Sequence, residues 1–332
     1  MIEICQFGAG RIGKMHAANL ARHPGYRLRY VVDVHAPSAQ EVASAHGAAV
    51  ATTEQALADP AIDAVLIASS TDTHAGLIEA SARAGKAILC EKPIDLAMAR
   101  VDACLAVADA AGVPLMVGFN RRFDRHFQAL KQAVEHGRVG AVELVSITSR
   151  DPGPPPAEYI KVSGGLYRDM MIHDFDLARW LLGEEPCEVL AAGSCLVDDG
   201  IGALGDVDTA LVILKTPSGR LCQISCSRRA TYGYDQRVEV LGSKGMVRAD
   251  NVRLSSVEIA DEGGFHGEKP PHFFIDRYAE AYLAELDHFA ACLEQGQAPS
   301  PSGEDGRRAL ALADAATESR ASGRAVSPLG VA

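Results

Sequence analysis

The sequence predicts a chain of class α/β in two parts. Residues 1–120 should form a parallel sheet covered by helices on both faces. Residues 121–332 should form an α+β domain on a large, mostly antiparallel open sheet. Three observations predict this. Short apolar runs alternate with helix-like runs through the first 120 residues; glycines in G-x-G-x-x-G spacing follow the first apolar run; and the rhythm changes near Asn120 to strand-like runs with few helices between them.

IEICQF (2–7) reads as a buried strand, and the alanine-rich run 12–22 as a helix. YRLRYVVDV (26–34) is a second strand, followed by a helix near 38–46, a short strand near 49–51 and a helix near 53–58. AVLIASS, KAILCEKP and PLMVGF are the next strands, separated by helices near 73–84 and 96–111. AVLI and AILC are continuous apolar runs, as expected of parallel strands covered on both sides. Beyond Asn120 comes a charged helix, RRFDRHFQALKQAVEHG, then strand-like runs at 141–149, 187–197, 207–215, 220–228, 236–241 and 253–259. DPGPPPAEY (151–159) is a proline-rich loop leading to a helix that carries Asp169, His173, Asp174 and Asp176. On that helix Leu166, Met170, Leu177 and Trp180 should face the core, and Asp176 and Arg179 the solvent. Helices near 274–295 and 303–321 close the chain. Strand 207–215 is apolar on both faces, which points to a subunit interface on the second face.

Composition removes several function classes. The formal net charge of −11 opposes binding to nucleic acid. No apolar run approaches the roughly 18 residues of a membrane span. MIEICQFGAG reads as a first strand, so no signal peptide is expected. The eight cysteines include no C-x-x-C pair and read as buried reduced thiols in a cytoplasmic protein, with no metal site.

The chemistry begins at Gly8, Gly10 and Gly13, with Arg11 and Ile12 between them. After a strand and at the start of a helix this spacing marks a Rossmann dinucleotide-binding domain. Gly8 permits the tight turn, Gly10 the close approach of a pyrophosphate, and Gly13 the packing of helix on sheet. The helix N-terminus offers free N–H groups and a positive partial charge. Asp33 ends the second strand twenty residues after Gly13, placed for the ribose hydroxyls and favouring NAD over NADP, since a carboxylate repels a 2′-phosphate. Ser69, Ser70, Thr73 and His74 lie at the carboxyl end of the next long strand, where they line the cofactor, or where Thr71 or Asp72 simply caps a helix. Glu91 and Lys92 end the AILC strand just before Pro93, and Glu91 is a potential ion partner of Lys92. Asp169 and His173 are four apart, a spacing that lets a carboxylate select the tautomer of an imidazole, or that forms an ordinary exposed pair.

GAGRIGKMHAANL, CEKPIDL, VGFNRRFD, SGGLYRDMMIHDFDLARWLLG and YGYDQRVEVLGSKGMV together are similar to the Gfo/Idh/MocA oxidoreductases, nearly end to end. Within that family, NRRFD and YGYD resemble the inositol dehydrogenase branch. The resemblance implies NAD-dependent oxidation of a cyclic polyol, myo-inositol or a near relative, to a ketone. It implies that Lys92, Asp169 and His173 are catalytic, with His173 as general base, Asp169 orienting it and Lys92 binding the reacting oxygen. It implies substrate contacts from Asn120, Asp151, Tyr232 and Tyr234 as well, and a homotetramer formed through the second domain's sheets. A scyllo-inositol or sugar dehydrogenase, or a non-catalytic sensor on the same fold, are the alternatives. Tyr232 and Tyr234 share a face if they lie in a strand, and need not in a loop.

Overall fold

The computed structural model describes residues 1–328. The described residues separate into two compact units, Met1–Phe123 with Glu280–Leu310, and Asp124–Ala279 with residues 311–328.

The first unit runs β1 (Ile2–Phe7), α1 (Arg11–Arg22), β2 (Tyr26–Val32), α2 (Ala36–His46), β3 (Ala49–Val50), α3 (Thr53–Ala58), β4 (Ala64–Ile67), α4 (Thr71–Arg83), β5 (Ala87–Glu91), α5 (Met98–Ala111) and β6 (Leu115–Gly118). The sheet is wholly parallel in the order β3-β2-β1-β4-β5-β6. The direction of winding reverses between β1 and β4, and ligands of such sheets collect at the carboxyl ends of the strands at that point. β4 is buried along its whole length, as its continuous apolar run requires. Ile4, Leu66 and Leu89 share a core with Leu20 of α1 and Val42 of α2, and with Leu286 and Phe289, which return from far along the chain.

Asn120–Phe123 is a 3-10 turn at the end of this stretch of the first unit, and in the second unit α6 (Arg125–Glu135) begins later than the charged run suggests. Asp124 caps it by accepting from the amides of His126 and Phe127. Then follow β7 (Val142–Arg150), α7 (Ala157–Ser163), α8 (Gly165–Asp169), α9 (Ile172–Leu182), β8 (Glu188–Ser194), α10 (Asp199–Ala203), β9 (Thr209–Lys215), β10 (Leu221–Ser227), β11 (Asp235–Gly242) and β12 (Gly245–Ala249). β13 (Glu258–Asp261) and β14 (Gly264–Gly267) form a separate hairpin, in place of the strand expected at 253–259. α11 (Phe274–Arg277) follows; α12 (Ala279–Gln295) lies in the first unit apart from its first residue, and α13 (Gly303–Ser322) begins in the first unit and continues in the second.

The large sheet has the order β12-β11-β7-β10-β9-β8 and is antiparallel except for the parallel pair β7–β10. Val145, Ile147, Val212, Leu214, Ile224 and Val240 are buried on one face, where α9 packs on β7 and β10. On the other face Leu190, Leu211, Ile213 and Leu221 are 41–61 % exposed in the single chain. Arg277 donates to Asp124 across an ion pair of 2.5 Å, and each side chain is only 5 % exposed.

Candidate functional site

The glycine loop is shaped by contacts that leave no room for side chains at two positions and ample room at the third. Gly8 has φ +100°, and a Cβ there would lie 2.4 Å from the Ala68 carbonyl oxygen. A Cβ on Gly13 would lie 2.2 Å from the Gly8 carbonyl oxygen. At Gly10 a Cβ would meet nothing within 4 Å. That open cradle sits at the N-terminus of α1, whose first turn has no side-chain cap. Its free amides and partial positive charge fit a pyrophosphate. The buried Gln6 amide donates to the carbonyls of Gly8 and Gly13, both at 2.8 Å, and so holds the loop from inside the sheet. Sequence reasoning missed Gln6; a polar residue among the apolar Ile4, Cys5 and Phe7 at the carboxyl end of the strand was the available signal.

Asp33 accepts from the Ala9 amide at 2.6 Å and from the His35 amide at 2.7 Å. A carboxylate has about four acceptor positions, so ribose hydroxyls can still bind it. Beside it lies a cleft of about 460 Å³ between Val32, Val34, Ala51 and Thr53, a size and lining suited to an adenine. Neither Thr71 nor Asp72 caps α4: the N-cap is Ser70, without a side-chain cap bond. Ser69 Oγ and Thr73 Oγ1 are 2.7 Å apart at the mouth of β4. His74 is buried beneath them, with Nδ1 2.8 Å from the Pro93 carbonyl and Nε2 3.2 Å from that of Ser69. Burial pushes its pKa down, so the ring is neutral. It ties the loop after β4 to the loop after β5, which carries Lys92.

Glu91 turns to His16, with Oε1 2.7 Å from Nε2. Glu285 of α12 completes a buried group whose donor atoms all lie within 4.8 Å of one another. Histidine with two carboxylates is a donor set that could hold a divalent cation. Burial, and then the charge of Glu91, push the Glu285 carboxyl well above its ordinary range, which favours its protonated form.

In the second unit the helix predicted through residues 166–180 is broken. α8 ends at Asp169 and α9 begins at Ile172. The Met171 amide reaches back five residues to the Leu166 carbonyl, a local widening of the kind often found at functional positions. Asp169 and His173 therefore flank this break and do not share one regular helix. α9 is buried almost all round; His173 and Trp180, seven residues apart on one face, are its partly exposed residues. The expectation that Asp176 and Arg179 face solvent is corrected: both are buried, and Arg179 donates to Glu185 at 2.7 and 2.6 Å with Asp176 3.7 Å away. Trp180 is also less buried than a core residue, with the Lys131 ammonium 5.5 Å above its ring.

Asp169 receives the Tyr159 hydroxyl at 2.8 Å. The buried Arg228 lies 3.8 Å away, and 3.5 Å from Asp206. Tyr232 and Tyr234 sit in a turn on either side of Gly233 (φ +124°) and do not share a face. Tyr232 is 44 % exposed and donates to Asp235. Tyr234 is buried edge-on against Tyr278. Tyr232, Asp235 and Asn251 border a second cleft of about 460 Å³. Asp235 is lowered: burial opposes ionisation, but bonds from Arg237, Tyr232 and Asn251 outweigh it. Asp151 follows β7, its amide on the Ser227 carbonyl, and Asn120 is buried in the 3-10 turn of the first unit. All eight cysteines are free thiols, Cys222 and Cys226 buried on one face of β10. Among the described residues no helix is long and apolar enough to cross a membrane.

The chain resembles known proteins over nearly its full length. Residues 2–119 match the oxidoreductase family with an NAD-binding Rossmann fold, and residues 127–248 match the GFO/IDH/MocA C-terminal domain. The chain is 55 % identical over 322 residues to the inositol 2-dehydrogenase of Rhizobium meliloti, covering 96 % of this chain and 97 % of the relative. It superposes on a crystal structure of a myo-inositol dehydrogenase from Corynebacterium glutamicum with TM-score 0.96 at 42 % identity, covering all of both chains. A scyllo-inositol dehydrogenase from Lactobacillus casei, solved with NAD(H) and scyllo-inositol, matches at TM-score 0.91 and 29 % identity over 98 % of this chain and 99 % of that one.

Proposed function

The chain belongs to the GFO/IDH/MocA family of NAD-binding oxidoreductases, and from that premise we propose that it oxidises myo-inositol to the 2-keto inositol. The observation that carries the reading is His173. It is one of the two partly exposed residues of an otherwise buried helix, close in sequence to a carboxylate held by Tyr159 and Arg228. NAD supplies the hydride acceptor when bound. Gly10 and the open end of α1 would take its pyrophosphate, and Asp33 its ribose. In this reading His173 takes the hydroxyl proton as the hydride leaves carbon. Asp169 orients the imidazole and balances its charge, and Lys92 binds the reacting oxygen and favours its alkoxide character. Asn120, Asp151, Tyr232 and Tyr234 would supply hydrogen bonds to the ring hydroxyls, a role for which unpaired polar groups carry a penalty. The exposed apolar face of the large sheet supports association through that face; the assembly of this reading is a homotetramer and its compartment the cytoplasm.

A screen of NADH formation over myo-inositol, scyllo-inositol and common aldoses tests the reading. Turnover should be highest with myo-inositol. Preference for scyllo-inositol or an aldose would reassign the substrate, and NAD binding without turnover of any polyol would replace the enzyme with a sensor.

A further inference from the structure

Arg228 heads the largest fully buried side chains of the described residues. It follows β10, and its amide donates to the Asp208 carbonyl at 2.8 Å, which fixes the base of the side chain. Its Nη2 lies 3.5 Å from Asp206 Oδ2 and 3.8 Å from Asp169 Oδ2, while Nε and Nη2 make no hydrogen bond. A buried guanidinium short of acceptors adds little to stability, and an apolar side chain of similar volume often serves the fold as well. What an apolar side chain could not supply is the charge.

The two carboxylates it faces bear on the two ends of α8: Asp206 lies in the loop before β9 and meets its first turn, and Asp169 is its last residue. Asp206 Oδ1 accepts from the Leu166 amide at 3.0 Å in the first turn of α8. It also closes against Gly165, where a Cβ would lie 2.6 Å from it and φ is +82°. Asp169 is the last residue of α8, with Oδ1 held by Tyr159 at 2.8 Å and Oδ2 turned toward Arg228. Arg228 thus spans both ends of the segment that delivers Asp169 to the break before His173.

Resting on the function proposed above, we propose that Arg228 is a positioning residue: its charge, shared between Asp206 and Asp169, holds the Asp169 carboxylate in the one orientation that sets the tautomer of His173. Arg228 does not touch substrate or cofactor in this assignment; it acts through Asp169.

The test compares Arg228→Met and Arg228→Lys in the full-length enzyme with NAD. Arg228→Met should lower kcat by about 100-fold, in the range of a lost acid–base contribution. KM for the polyol and Kd for NAD should stay within about threefold, because uniform binding is untouched. Arg228→Lys, which keeps the charge, should recover kcat to within about tenfold of wild type. Imidazole ¹⁵N NMR should show one His173 tautomer in the wild type and in Arg228→Lys, and a mixture in Arg228→Met. This readout needs no turnover. If the wild type oxidises no polyol, the proposed reaction fails while the tautomer measurement still decides the role of Arg228. Should Arg228→Met not fold, the pair Arg228→Met with Asp206→Asn removes one carboxylate with the cation and is expected to show the same losses. A kcat within about threefold of wild type, equal impairment by methionine and lysine, or a single tautomer retained without the guanidinium would overturn the inference.

Discussion

Replacing Gly13 and Gly10 in turn by alanine separates what the glycine loop does for the fold from what it does for the cofactor. In Gly13→Ala the new Cβ would stand 2.2 Å from the Gly8 carbonyl oxygen, against an ordinary contact of at least 3.4 Å. The loop or α1 must therefore shift by about 1.2 Å, the difference between those distances. It cannot do so freely, since the obstructing atom is backbone at φ +100° and the Gln6 amide grips both residues. Overpacking of this kind costs about 3 kcal/mol at its upper end. Alanine recovers about 1 kcal/mol of helix propensity. The net loss of about 2 kcal/mol should lower the Tm of the NAD-free protein by about 4–8 °C. Gly10→Ala meets nothing in the free protein and sits at an extended N-cap. It should cost at most about 0.5 kcal/mol and leave Tm within about 2 °C. Its Cβ does fill the cradle, so NAD binding should weaken at least about tenfold, or about 1.4 kcal/mol. Thermal unfolding without NAD and a fluorescence titration with NAD read the two effects apart. Equal Tm losses in the two variants, or full NAD affinity in Gly10→Ala, would refute the reasoning.

Three further outcomes are expected. His173→Ala should lower kcat by about 10²–10⁴-fold and leave the NAD dissociation constant within about twofold; an unchanged rate removes His173 from the mechanism. Glu285→Gln should flatten the dependence of Tm on pH. The folded-state pKa of Glu285 is raised, so its contribution is fully present below the ordinary carboxyl value of 4.5 and is lost as pH rises toward and through the folded value. His16, Glu91 and Tyr26 are the titratable groups that face it, and a wild-type slope shared by the glutamine variant would remove Glu285 as its source. Arg277→Met leaves Asp124 buried without its cation and should cost about 3–5 kcal/mol in chemical denaturation; a loss under about 1 kcal/mol would mean that water reaches the pair.

Much of this was legible along the chain because it depends on local rules. Continuous apolar runs and period-3.6 patterns mark β1 through β6 and their helices to within a few residues, since parallel strands covered on both faces are largely apolar along their length. The glycine spacing marks the loop, because steric room at Gly8 and Gly13 is decided by residues nearby in sequence or on the adjoining strand. Asp33 and Lys92 could be placed because both lie at predicted strand ends. The exposed second face of β9 was also readable, since both of its faces are apolar.

What the tertiary structure decided is everything that depends on partners distant in sequence. Asp176 and Arg179 read as a solvent-facing pair, and they are buried because α9 lies across the sheet and Glu185 folds back to take the guanidinium. The break between Asp169 and His173 is invisible in a helical pattern, which continues through Met170 and Met171 without a glycine or proline. Arg228 and Glu285 look like ordinary surface charges on a strand end and a helix. They are functional candidates only because Arg228 meets a carboxylate 59 positions earlier, and Glu285 meets a strand end nearly two hundred positions earlier. Sequence periodicity reports which side of an element is apolar; it carries no information about which charge will be waiting on the other side of a buried contact.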